Sequence, residues 1–185
     1  MFHMLRRGEI RMNEAAKKNL MFISSDDFYL LAYATIVILD CLNCTKGRIF
    51  KDYRKIPFII ELITNNRNIL ILESSTTERL HRGDKDFLFH SYTSGLAKRS
   101  ETLKILFTLE KKGYVSLHKG DTEALVNITL NKEELPPNFL SKEVFKNEYM
   151  NCEKFKRAIQ RSTAITLDTF LSKVYRDRGI KIWEV

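Results

Sequence analysis

The chain has 185 residues, 44% of them hydrophobic, enough to bury the core of one ordinary domain or of two small ones packed together, and too many for a disordered tail. Lys and Arg number 31 against 23 Asp and Glu; the resulting charge of +8 favours acidic partners, nucleic acid first among them, although a lysine-rich surface kept for solubility gives the same total. Three cysteines are too few for a secreted disulfide framework and suit a reducing cytoplasm.

The first 23 residues read as a peripheral basic arm, with sparse apolar positions and Arg6, Arg7, Arg11, Lys17 and Lys18; the true start could be Met4 or Met12. No long apolar run follows the arginines, so no signal peptide is expected. Residues 24–80 form an N-terminal helical part. Ser24-Ser25-Asp26 offers capping side chains to a helix over roughly 26–43, apolar nearly all round and therefore central. Its uncharged stretch, Phe28 to Leu39, is twelve residues long, too short to cross a bilayer, so no membrane contact is expected. A basic connector from Lys46 to Lys55 follows. Pro57 suits the first turn of a second helix, Phe58 to about Asn65. Ile69-Leu70-Ile71-Leu72 is strand or buried helix, which periodicity cannot decide.

Residues 81–135 read as a winged-helix-like segment. A short helix spans Asp84 to Tyr92 and is broken by Gly95; a longer one runs from about Ala97 to Lys112, with Leu103, Leu106, Phe107 and Leu109 inward and Gly113 as its stop. Tyr114-Val-Ser-Leu117 and Leu125 to Leu130 alternate as strands around a turn-rich tip. Helix, helix, hairpin is the winged-helix order. Pro136-Pro137 marks a break before a C-terminal helical part, residues 136–185. There Ser141 caps a helix running to about Thr163. Thr166 or Asp168 opens a last helix, whose Leu167, Phe170, Leu171, Val174 and Tyr175 keep amphipathic spacing until Gly179. The fold class expected is mainly α with a small β-hairpin wing.

Cys41 and Cys44 form a CxxC, but a zinc site needs four ligands and the four histidines lack ligand spacing; buried structural cysteines are the simpler reading. No phosphate loop, dinucleotide fingerprint, nucleophile elbow or metalloprotease helix occurs. Asp84 and Asp86 could mimic a nuclease carboxylate pair, but acidic residues are ordinary at a helix N-terminus. No enzymatic activity, cofactor or metal is expected. On the helix 97–112, Lys98, Glu101, Lys104, Thr108 and Lys111 share a stripe, with Arg99, Ser100 and Thr102 near the end that meets bases in a recognition helix. Lys119 sits on the wing tip. Lys154, Arg157 and Arg161 share a face of the next long helix. Lys98, Arg99, Lys104, Lys119, Lys154, Arg157 and Arg161 are therefore the candidate DNA contacts, through phosphates rather than bases. Phe139, Phe145, Tyr149 and Trp183 are candidate partner anchors; closing the protein's own core is the plainer role for each.

In order and texture the chain from Asp26 to Val185 resembles the middle component of ABC three-component systems, which include Lamassu-type bacterial defence. The resemblance rests on the apolar helix and the connector to Tyr53-Arg54-Lys55-Ile56-Pro57-Phe58, on the string Leu103 to Leu130, and on the basic and amphipathic helices from Lys156 to Ile182. It implies a cytoplasmic, non-catalytic accessory subunit that joins an ABC ATPase resembling structural-maintenance-of-chromosomes (SMC) proteins to an effector, often a nuclease, against foreign DNA. The alternative is a free-standing winged-helix transcriptional regulator, which needs a dimer surface and a base-reading helix.

Overall fold

The structure, a computed structural model, describes residues 28–74, 80–122, 125–137 and 139–183. The expected basic arm and the Ser24-to-Asp26 cap lie outside them. Helix α1 covers 28–41, and its second half, 34–39, is buried on every side, as an all-round apolar sequence requires. The chain then turns through Asn43 and Lys46, both at positive φ, into the connector.

Helix α2 (Ile56–Ile63) begins with Pro57 in its first turn and buries seven of its eight residues. Helix α3 (Asn66–Ser74) settles the ambiguous apolar run as helix, with Asn68, Ile69, Ile71 and Leu72 inward. Gly95 does not break the next helix as the sequence suggested: α4 runs from Arg82 to Ala97 without interruption. A Cβ at Gly95 would lie 2.5 Å from Cδ1 of Phe58, so glycine stands there to let α4 approach α2.

Helix α5 (Arg99–Lys111) ends before Gly113, which takes φ +79°. Its inward stripe is Thr102, Ile105, Leu106 and Leu109, at i, i+3, i+4 and i+7. Two expectations fail here: Leu103 is only half buried and Phe107 is 54% exposed. A stripe centred on Ile105 and Leu106 already fills the contact with α2, α4 and the hairpin, leaving Phe107 about 100° round the helix. Strands β1 (Val115–Lys119) and β2 (Val126–Leu130) pair antiparallel, from Val115 opposite Leu130 to Lys119 opposite Val126. Phe50 of the connector adds a rung on the far side of β2, its N–H and C=O bonding Ile128 at 2.8 and 2.9 Å.

The helix expected from Ser141 to Thr163 is shorter. Helix α6 spans Lys146–Ala158, and the chain then leaves helical geometry, with Arg161 at φ +58°. The reason is Lys55. This wholly buried ammonium takes the carbonyls of Ser162, Thr163 and Ile165 at 2.7, 3.4 and 2.8 Å, so residues 162–165 must curl around it instead of continuing a helix. Thr166 caps α7 (Leu167–Val174) by accepting from the Thr169 N–H, and Leu167, Phe170, Leu171, Val174 and Tyr175 are all buried as their spacing demands. One hydrophobic core runs from Leu31 to Ile180 and draws on every helix and both strands.

Candidate nucleic-acid and partner interface

Several basic side chains of the body are paired with carboxylates of the fold. Lys98 bonds Glu61 of α2 at 2.6 Å, Lys154 of α6 meets Glu73 of α3 at 3.5 Å, Lys132 holds Asp40 at 2.6 Å and Arg67 holds Asp84 at 3.2 Å. Two of the seven residues expected on DNA, Lys98 and Lys154, thus have carboxylate partners within the fold. Arg99 is half buried, and burial lowers its pKa, a sign of a guanidinium partly withdrawn from water. Thr102 is fully buried and donates to the Lys98 carbonyl, so it cannot meet a base.

The outer face of α5 is different. Lys104, Lys111 and Lys112 are exposed and make no ion pair among the described residues, and Phe107 stands between the first two at helical spacing. Lys119 is exposed at the end of β1, on the unit that α5 packs against. Arg157 and Arg161 are exposed as well, but Arg161 lies beyond the end of α6 in its own backbone turn, so the expected shared face of Lys154, Arg157 and Arg161 does not form. Helix α6 packs on α2 and α3, whereas α5 packs on α2, α4 and β1; the basic residues therefore form two separate sets.

The four aromatic anchors divide in the same way. Phe139 stacks on Tyr33 at 4.8 Å, Phe145 lies 5.5 Å from the same ring, and the Tyr149 hydroxyl donates to Asp40 at 2.7 Å. All three fasten the C-terminal part to α1. Trp183 is 52% exposed; its ring stacks on Tyr92 at 5.7 Å with Phe89 beside it at 5.9 Å. It also lines a pocket of about 500 Å³ between the connector, the hairpin and α7. In that pocket Arg54 grips Asp52 with two bonds of 2.8 Å and Arg176 meets Asp168 at 3.2 Å. With Lys51 and Asp121 the lining holds three cations and three carboxylates, so its field is balanced and it is not an anion trap. Asp52 adopts φ +64°, held by the Arg54 fork and by its own N–H on the Asn127 side chain at 3.0 Å. Sequence spacing gave no sign of this pocket, because its walls come from Lys51 to Arg54, from Asp121, Leu125 and Asn127, from the stretch Ala164 to Arg176 and from Ile182 and Trp183.

Cys41, Cys44 and Cys152 are buried free thiols. Burial pushes Cys44 up to about 12, and a hydrogen bond to Cys41 followed by burial raises Cys152 further, so neither is poised as a thiolate. No group of three or more His, Cys, Asp or Glu among the described residues could hold a metal ion, and no described helix is long and apolar enough to cross a membrane. No family model matches the chain, and neither the curated proteins nor the solved structures contain a match to it.

Proposed function

We propose that this chain is a non-catalytic binding subunit whose α5–hairpin unit grips nucleic-acid phosphates while its body is fixed to partner proteins. The observation that carries the reading is the stripe Lys104, Phe107, Lys111: two exposed lysines without ion pairs among the described residues, flanking a large exposed aromatic ring. Lys98 and Lys154 are paired with carboxylates of the fold; these two are not. Lysine without a bidentate arginine or asparagine at the same face suits phosphate contact and gives little base discrimination. The winged-helix reading gains support from the third rung at Phe50, which places β2 between β1 and the connector, and from α5 packed against β1.

The resemblance noted in the sequence gives the proposal its specific form: an accessory subunit joining an SMC-like ATPase to an effector in anti-phage or anti-plasmid defence, in the cytoplasm. Two measurements test it. In fluorescence anisotropy with unrelated duplexes, affinity should be similar for each and fall with salt by a log–log slope of about −0.9 per phosphate held. Lys104→Glu with Lys111→Glu should make that slope shallower by about 1 for each lysine reversed. Tight binding to one operator alone would favour the free-standing regulator. Co-expression with the neighbouring ATPase and effector genes should yield a three-protein complex; a chain that always purifies alone refutes the subunit reading.

A further inference from the structure

A groove of about 340 Å³ runs beside the first turns of α1, lined also by residues of α2, of the head of α5 and of the start of α6. Buried Leu31, Ala34 and Ile60 belong to its lining, as do the Tyr33 and Phe145 rings, which lie 5.5 Å apart. Leu30 belongs to it as well and is 64% exposed, with Tyr29 beside it 60% exposed.

Two of the polar groups in the lining are spent on the fold. Thr64 donates its hydroxyl to the Ile60 carbonyl at 2.7 Å, and Lys98 ends on Glu61 at 2.6 Å. The other two, Glu101 and Glu148, are half-buried and make no ion pair among the described residues. An apolar slot with two unspent carboxylates suits a segment that joins apolar side chains to positive charge.

The chain carries such a segment next to the slot. Residues 1–27 lie outside the described residues and lead directly into α1. Their last apolar block is Leu20-Met21-Phe22-Ile23; Lys17 and Lys18 precede it, and no acidic residue occurs between Ala15 and Ser25. Extended chain from Ile23 to Phe28 reaches about 17 Å, whereas Leu30 to Ala34 lie about 3–9 Å along the helix from Phe28. The block is therefore long enough in its tether to turn back along α1. That tether, Ser24 to Asp27, also holds it at an effective concentration on the order of millimolar, an advantage that a separate molecule lacks.

We propose that Leu20 to Ile23 of this same chain fold back into the groove and cover Leu30, with Lys17 and Lys18 drawn to Glu101 and Glu148. The site is independent of the nucleic-acid reading, since neither Lys104 nor Lys111 takes part.

Limited trypsin digestion of the full chain tests it. The bond after Lys18 is cut when the segment leaves the groove, so the rate follows the undocked fraction. Phe22→Asp should speed that cut about tenfold by removing an apolar anchor. Leu30→Asp should speed it as much while the thermal midpoint holds, because the position is exposed and an acidic residue is favourable in a first helical turn. Glu101→Lys with Glu148→Lys should speed it about threefold at low salt; where Leu30→Asp lowers the midpoint, this pair decides. A cut as fast in the wild type as in Phe22→Asp overturns the proposal, as does one that neither groove change accelerates. Protection that grows with protein concentration overturns it too, by showing that the groove takes the segment of a second copy.

Discussion

Lys55 shows how a single residue can shape a segment more than a hundred positions away. Its side chain is fully buried, so desolvation pulls its pKa from 10.5 down to about 8, while three carbonyls of residues 162–165 and the Phe50 ring at 4.9 Å stabilise the charged form. A lysine whose pKa is lower folded than unfolded binds fewer protons in the native state above about pH 8. Its desolvation penalty is thus fully present below pH 8 and is relieved as pH rises from about 8 toward 10.5. The buried thiols act oppositely, since a raised thiol pKa weakens the fold once unfolded cysteine ionises near pH 9. The Lys55 effect is therefore isolated by comparison with Lys55→Met. That variant should lose about 1–3 kcal/mol at pH 7, because the Ser162 and Ile165 carbonyls become orphans. In urea unfolding, the wild-type advantage should grow by roughly 1 kcal/mol between pH 7 and 9; a constant difference would show that Lys55 titrates normally.

Among the elements, α4 departs most instructively from its sequence pattern. Glycine in a helix interior lowers helix propensity by about 1 kcal/mol relative to alanine, which is why Gly95 reads as a breaker. The structure keeps it helical because Phe58 occupies the place a side chain would take. Propensity and packing then predict opposite signs for Gly95→Ala. Packing should win, with a loss of about 1–3 kcal/mol as Phe58 is forced from its stack on Tyr92. Thermal unfolding with near-ultraviolet circular dichroism checks both the sign and the aromatic environment; a stabilised variant would mean that α2 and α4 can move apart at little cost.

Across the whole molecule, one core welds the N-terminal helices, the hairpin unit and the C-terminal helices, so the basic surfaces hold their positions relative to one another. Because α5 packs on α4 and β1 whereas α6 packs on α3, charge reversal should separate their roles. Lys104→Glu with Lys111→Glu should weaken duplex binding by tenfold or more at low salt, on the order of 1 kcal/mol for each phosphate no longer held. Arg157→Glu with Arg161→Glu should change it by less than about threefold, and any loss of function there should appear as failed assembly with protein partners. Equal losses from both pairs in the anisotropy assay would show a single continuous nucleic-acid surface.

Periodicity and punctuation were enough to place α1, α2, α7 and the hairpin, because each is decided locally: an all-round apolar run, a first-turn proline, an i, i+3, i+4, i+7 stripe with a capping threonine, and alternation bounded by Gly113 and a turn-rich tip. The same local signals could not tell which of two adjacent apolar residues faces inward, and so misplaced Phe107; nor could they see Phe58 across from Gly95 or Lys55 beneath residues 162–165. Of the basic residues singled out from sequence, Lys104 stands exposed without an ion pair among the described residues, whereas Lys98 and Lys154 are neutralised by carboxylates far away in the chain. The sequence by itself determined composition, charge and the elements whose signals are local. Only the tertiary structure decided which charges are spent inside the fold, because ion pairing and desolvation depend on distances between segments that sequence order does not contain.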